Sequence, residues 1–404
     1  MNFSRAIGRM AADTSGVWDV HDEACALKAN GEDIILFSIG DPDLPTLDIT
    51  VDHAIASLKA GRTHYSPGAG EKPLRQAIAD IESRASGRAT AIDQIVIHPG
   101  GTNAIFTTLS CFLDEGDDIV IPTPMYVGYQ GLLAAVGANV VHVPLDANDN
   151  FSLDVDAVKK AFTDRTRVLF LNTPGNPCGN FIGEEQLREL AAFCLERRVW
   201  IVCDEVYSMI TFGRRHVSLL KAAASLENVV VIDALSKSHS MTGWRMGWTV
   251  SSQDTARRIL AFASATIFGC CQFVQDAAAF ALQNDEEYMR AIADEYRVRR
   301  DYALERINAI PGLSANRPGA GMFIMLDVSQ VAPDGLEFAQ GLLRHGKVSV
   351  LPGVAFGETT RQFVRLSLTH PVHIMSKAFD RIERFAGSRL AGSTEQEARN
   401  GDMR

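Results

Sequence analysis

Two patterns alternate along the middle of this chain: short apolar runs, and longer stretches with helical spacing. Gln94 to His98, Asp118 to Ile121, Asn139 to Val143, Arg167 to Asn172, Val199 to Asp204, Val229 to Asp233 and Gly247 to Val250 predict strands. Several are apolar throughout, as expected when both faces of a sheet are covered. Thr102 to Leu113, Tyr126 to Val136, Leu153 to Phe162 and Glu184 to Arg197 predict the helices between them. This alternation predicts an α/β fold with a mostly parallel central sheet flanked by helices. Asp285 to Ile310 reads as one long charged helix ended by Pro311-Gly312. After it the elements shorten: Met322 to Asp327, Leu336 to His345, Phe363 to Leu368 and Lys377 to Leu390 predict a smaller α+β domain. A chain of 404 residues exceeds the usual size of one core. The expected division is a large α/β domain over 47–296, a small domain built from 1–46 and 297–390, and a polar, frayed tail over 391–404.

Composition narrows the function classes. With 46% hydrophobic and 22% charged residues, this is the make-up of an ordinary globular protein. A net charge of −10 argues against broad nucleic-acid or anionic-membrane binding, both of which want a basic face. Met1 to Gly16 carries no apolar segment of the secretory kind. No apolar run is long enough to cross a bilayer. The seven cysteines are odd in number and scattered, with no C-x-x-C pair, which predicts free thiols in a reducing cytoplasm. There is no H-E-x-x-H, no Cys/His cluster, no G-x-G-x-x-G and no phosphate-loop motif, so no metal is expected.

The chemistry concentrates after the strand Val229-Val230-Val231-Ile232, in the run Ala234-Leu235-Ser236-Lys237-Ser238-His239-Ser240-Met241-Thr242-Gly243-Trp244-Arg245. A residue there emerges at a strand's C-terminal end, where open α/β sheets bind ligands. Arg245 can fork onto a phosphate, and a fixed cation beside a lysine makes its amine easier to deprotonate. A nucleophilic lysine next to a phosphate anchor is what a pyridoxal phosphate Schiff base needs.

The run resembles the lysine signature of the class I/II aminotransferases, pyridoxal-phosphate enzymes of fold type I. Ala234 departs from it, since that pattern has Ser or Gly there; Ser236 is the remaining hydroxyl on the phosphate side. Other strings are similar to the family's in the same order. Asp204-Glu205-Val206-Tyr207 implies a carboxylate for the pyridine nitrogen and a hydroxyl for the phenolic oxygen. Asn172-Thr173-Pro174-Gly175-Asn176-Pro177-Cys178-Gly179 implies Asn176 on the opposite side of that oxygen, with Cys178 a turn residue. His98-Pro99-Gly100-Gly101-Thr102 implies a phosphate cup, with Gly101 and Thr102 at a helix N-terminus. Tyr126 would stack on the ring. His64-Tyr65-Ser66-Pro67 implies that Tyr65 reaches the neighbouring site of a homodimer. Ile39-Gly40-Asp41-Pro42-Asp43 implies a backbone N–H of Gly40 on the substrate. Arg365, one cation in the strand Phe363-Val364-Arg365-Leu366-Ser367, implies a partner for the substrate's α-carboxylate.

The resemblance thus implies an aminotransferase in which Lys237, assisted by Asp204 and Tyr207, moves the α-proton. Val17-Trp18-Asp19-Val20-His21, the Gly40 loop and Leu235-Ser236-Lys237-Ser238-His239 together are similar to arginine–pyruvate transaminases. That implies L-arginine as leading donor and pyruvate or 2-oxoglutarate as acceptor. Trp18 can face a guanidinium and Asp19 can pair with it. The plainer reading, packing for Trp18 and a turn for Asp19, is preferred for these two residues. Thr102 stands where some dicarboxylate-specific relatives have lysine, which counts against aspartate. The alternatives are aspartate or aromatic transamination, or a β-lyase, decarboxylase or oxidase reaction on the same fold. A non-catalytic regulator is disfavoured by the absence of a basic DNA-binding segment.

Overall fold

The computed structural model describes residues 3–13, 18–284 and 286–401. Val17 and Asp285 therefore lie outside the described residues. The central sheet has seven strands: β1 (Ile95–His98), β2 (Asp118–Thr123), β3 (Asn139–Pro144), β4 (Thr166–Asn172), β5 (Trp200–Asp204), β6 (Val229–Ala234) and β7 (Gly247–Ser251). Their order is β1-β7-β6-β5-β4-β2-β3. β7 runs antiparallel to both its neighbours and the remaining pairings are parallel. The architecture is α/β with a mostly parallel sheet, as the sequence pattern predicts.

The continuous apolar runs are explained by what each face meets. Leu169 and Leu171, Ile201 and Cys203, and Val229 and Val231 enter one core cluster. The intervening Val168 and Phe170, Val202, and Val230 and Ile232 enter another on the opposite face. A period-2 strand covered on both sides must be apolar at every position.

A second sheet follows, made of β8 (Ser314–Ala315), β9 (Phe323–Asp327), β10 (Leu351–Pro352) and β11 (Phe363–Ser367) in the order β10-β11-β9-β8, all antiparallel. Its core also takes Val20, Ala24, Ile35 and Phe37, so the N-terminal segment packs with the C-terminal part. Helix Glu286–Asn308 crosses the expected division at residue 296, and its Ile292 and Tyr296 share this cluster with Ala303 and Leu304.

The largest difference from the expected element boundaries is in the last helix. The last helix runs Val372–Gly401, well past Leu390 where a tail was expected. The extension carries Glu395, Gln396, Glu397, Ala398 and Arg399 and no proline, so helix propensity outweighs polarity. Among the described residues no helix is long and apolar enough to cross a membrane.

The fold brings the ends of β4, β5 and β6 side by side. Asn172 pairs in register with Asp204, and Asp204 with Ile232, two residues before Ala234. The chain leaves all three strands at the same edge, and the site is built there.

Candidate active site

A cavity of about 400 Å³ opens at these strand ends. At one end, helix Gly101–Phe112 starts after Gly100, whose φ is 88° and which offers no capping side chain. The first N–H groups of that helix are thus available to an anion. A methyl group at Gly100 would overlap the Arg245 guanidinium, so only glycine lets the cation lie against this turn. Arg245 itself donates to the Thr242 carbonyl at 2.7 Å. Thr102 and Ser236 line the same end. Ala234, also in the lining, contributes a methyl 3.6 Å from where a Cβ on Gly101 would stand, and no hydroxyl.

The floor is Asp204, 6% exposed at the end of β5. It accepts from the Tyr129 hydroxyl at 2.7 Å and from the Val206 N–H at 3.1 Å. Burial raises its carboxyl to about 6, against the pull of those two donors. A cation above it would be its missing partner. Asn172 locks the neighbourhood: its Nδ2 donates to the Asp204 carbonyl at 2.9 Å, and its Oδ1 accepts from the Asn176 N–H at 2.8 Å. Asn176 in turn donates to the Tyr207 hydroxyl at 3.4 Å. Burial pushes the Tyr207 phenol up, so it stays a donor at neutral pH. Tyr126 lines the cavity, set edge-on to Tyr129 with ring centres 5.3 Å apart.

Lys237 stands in the short helix Leu235–Ser238 that follows β6. Its Nζ donates to the Gly40 carbonyl at 2.6 Å. Burial lowers its pKa to about 8; Asp41 opposes the shift, while Arg365 and Arg245 add to it. The free amine is the nucleophile, so a lower pKa makes it available near neutrality. In the cofactor-free enzyme, aldehyde capture by Lys237 should accelerate about tenfold per pH unit up to pH 8 and level off above it. A flat profile from neutral to alkaline pH would show that the amine is not shifted.

Arg365 lies opposite, 2% exposed on β11. Its Nη1 donates to Asn176 Oδ1 at 3.1 Å and its Nη2 to the Ser38 carbonyl at 2.9 Å. The rings of Phe323 and Phe356 pack on the guanidinium at 4.1 and 4.9 Å. No carboxylate pairs with it among the described residues, and its Nε has no partner. Burial pulls its pKa to about 10, which still leaves it charged at neutral pH.

The structure therefore gathers Trp18, Gly40, Gly101, Thr102, Tyr126, Asn176, Asp204, Tyr207, Ser236, Lys237, Arg245 and Arg365 around one cavity. Gly40 accepts from Lys237 through its carbonyl, which leaves open the expected role of its N–H on the substrate. Tyr65 is not in the lining; it is 83% exposed and meets Phe268 edge-on at 4.8 Å. Trp18 lines the cavity and also packs with Val127, Leu351 and Phe356, while Asp19 is the first residue of helix Asp19–Ala29. Cys178 is buried, with its thiol held far from ionisation, as a turn residue should be. His239 is also buried, bonded to Ser238, and lowered by burial to about 4. Tyr129, Asn172 and Phe323 are functional neighbours that sequence reasoning missed. Tyr129 has a signal in retrospect, since it stands three residues after Tyr126, on the first turn of helix Gly128–Val136.

Comparison with known proteins gives the family. The family model for aminotransferase class I and II matches residues 32–382. The chain belongs to the class I and II aminotransferases. Arginine–pyruvate transaminase AruH of Pseudomonas aeruginosa is 38% identical over 95% of this chain and 97% of its own. The aspartate aminotransferase of Bacillus subtilis is 32% identical over 90% and 94%. The aspartate aminotransferase of Thermus thermophilus with maleate superposes with a TM-score of 0.90 at 30% identity, covering 95% of this chain and all of that one.

Class I and II aminotransferases use pyridoxal phosphate, and the residues present fit it. The uncapped helix start, the Gly100 cradle and Arg245 suit a phosphate. The carboxylate of Asp204 suits a protonated ring nitrogen, and Lys237 an aldehyde.

Proposed function

We propose that this aminotransferase takes its amino group from a cationic L-amino acid, with L-arginine the leading donor, and passes it to pyruvate or 2-oxoglutarate. The observation that carries the reading is the layout of charge in the cavity. Arg365 is buried with an open Nε and no carboxylate partner, so an amino acid's α-carboxylate suits it. The other cations of the lining, Lys237 and Arg245, lie at the cofactor positions. The rim also carries the exposed carboxylate of Asp41, which accepts from the Thr242 hydroxyl at 2.8 Å, and the ring of Trp18. A guanidinium suits both, whereas a second carboxylate would face Asp41. The similarity to an arginine–pyruvate transaminase supports the same donor. Aspartate is the second reading, favoured by relatives named aspartate aminotransferases.

When bound, pyridoxal phosphate supplies the electron sink that makes the substrate's α-proton acidic. The chain does the rest. Asp204 would hold a protonated ring nitrogen, Tyr207 and Asn176 would hold the ring oxygen, and Tyr126 would pack against the ring. Arg365 fixes the carboxylate, so that the Cα–H bond faces Lys237, whose amine takes the proton. Asp41→Asn should lower kcat/KM for L-arginine about fivefold and raise it for L-aspartate, a modest change because Asp41 is exposed. Equal values for both donors before and after substitution would sink the rim assignment.

We also propose a homodimer, supported by the exposed Tyr65–Phe268 pair, with Tyr65 reaching the neighbouring site. A cytoplasmic location is supported by seven cysteines that are all unpaired.

A further inference from the structure

One short segment, Tyr126 to Tyr129, serves the cavity twice. Both tyrosines line it, and Tyr129 is 2% exposed on the first turn of helix Gly128–Val136. The Tyr129 N–H donates to the Tyr126 carbonyl at 3.0 Å, and the two rings stand at 90°. A methyl group on Gly128 would overlap the Tyr126 ring, so glycine lets that ring fold back across the turn. The Tyr129 ring is wedged edge-on between Tyr126 and Phe170 of β4, with centres 5.3 and 4.8 Å away. A buried ring held from two sides leaves one place for its hydroxyl.

That hydroxyl donates to Asp204 Oδ2 at 2.7 Å, while the Val206 N–H donates to Oδ1 at 3.1 Å. Each carboxylate oxygen thus has a donor of its own. Among the described residues no lysine, arginine or histidine forms an ion pair with Asp204. Glu205 follows it in the chain and repels its charge. The Cys203 thiol and the Tyr126 and Tyr207 phenols stand near enough to feel that charge and bring no cation. Burial holds the carboxyl at about 6, and the Tyr129 hydroxyl is the stronger of the two donors that oppose it. A buried carboxylate without a cation depends on such donors to stay charged.

We infer that Tyr129 is a positioning residue for the cofactor: its hydroxyl keeps Asp204 ionised and oriented, so that the carboxylate can hold a protonated ring nitrogen. Tyr129 acts through Asp204, so the inference holds whichever amino acid is the donor. The test titrates the cofactor-free chain with pyridoxamine phosphate, from about pH 5.5 to about pH 8.5. Its amine forms no imine with Lys237, which keeps the nucleophilicity of that lysine out of the reading. Tyr129→Phe removes one oxygen and keeps the ring. Loss of a donor to the charged form raises a buried carboxyl further, so binding should begin to weaken at a higher pH than in the wild type. At about pH 5.5 the variant should bind about tenfold more weakly than the wild type, and at about pH 8.5 within about twofold of it. The acid limb of kcat in the cofactor-loaded enzyme should move the same way. Tyr129→3-fluorotyrosine, with a more acidic phenol and hence a stronger donor, should move the onset to lower pH. Wild-type affinity of both variants at every pH overturns the inference. A loss of equal size at every pH does so too, because that is the mark of a merely structural role. Should Tyr129→Phe fail to fold, a fluorotyrosine profile that coincides with the wild type overturns it alone.

Discussion

Replacing Lys237 with alanine is expected to lower kcat at least about 10⁴-fold while the protein stays folded. Among the side chains lining the cavity, Lys237 alone combines an amine with a pKa brought down to about 8. Tyr207 is held protonated by burial, and Asp204 forms the floor, engaged by Tyr129. Neither can replace an amine that must both lose and regain a proton near neutral pH. The fold has little at stake. Lys237 is only partly buried and its amine donates to the Gly40 carbonyl, so the thermal transition should move by a few degrees at most. Steady-state turnover and a melting curve on the same preparation check both halves. Wild-type turnover by the alanine variant would remove the proposed role of Lys237.

The second large effect concerns Arg365, where activity and stability should move in opposite directions. Arg365→Leu is expected to raise KM for the amino donor about 10²- to 10³-fold, the usual scale for leaving a desolvated charge without its partner. The same change should keep or raise the melting temperature. The guanidinium is buried between Phe323 and Phe356, is bonded only to neutral acceptors and leaves Nε unsatisfied. Removing a buried charge that lacks a counter-ion relieves its desolvation cost. A leucine variant that is strongly destabilised, with KM unchanged, would make Arg365 a structural residue.

Three of the residues legible in the sequence share one property: each stands at, or just beyond, the end of an apolar strand run. Asn176, Asp204 and Lys237 follow β4, end β5 and follow β6, and a parallel sheet must deliver all three to one edge. Arg365 was legible for a related reason, as one charge in a strand with no local partner. What stayed hidden depends on packing between distant segments. Tyr129 sits in an apolar helical stretch and reads as core until the fold places its hydroxyl on Asp204, 75 residues away. Phe323 looks like any strand aromatic until β9 and β11 pair and bring it onto Arg365. The antiparallel run of β7 is invisible in composition, because covered strands are apolar in either direction. The helix beyond Leu390 was missed because polarity was taken for fraying, although Glu, Gln, Ala and Arg are all good helix formers.

The central claim is transamination with a cationic donor, and a half-reaction titration tests it most directly. The cofactor-loaded enzyme is mixed with single L-amino acids in the absence of a keto acid, and the visible absorbance of bound pyridoxal phosphate is followed. Loss of the band with L-arginine, and its return on adding pyruvate or 2-oxoglutarate, is the predicted result. Loss only with aspartate or aromatic donors would keep the aminotransferase and discard arginine. A band that no donor bleaches reversibly would contradict the account.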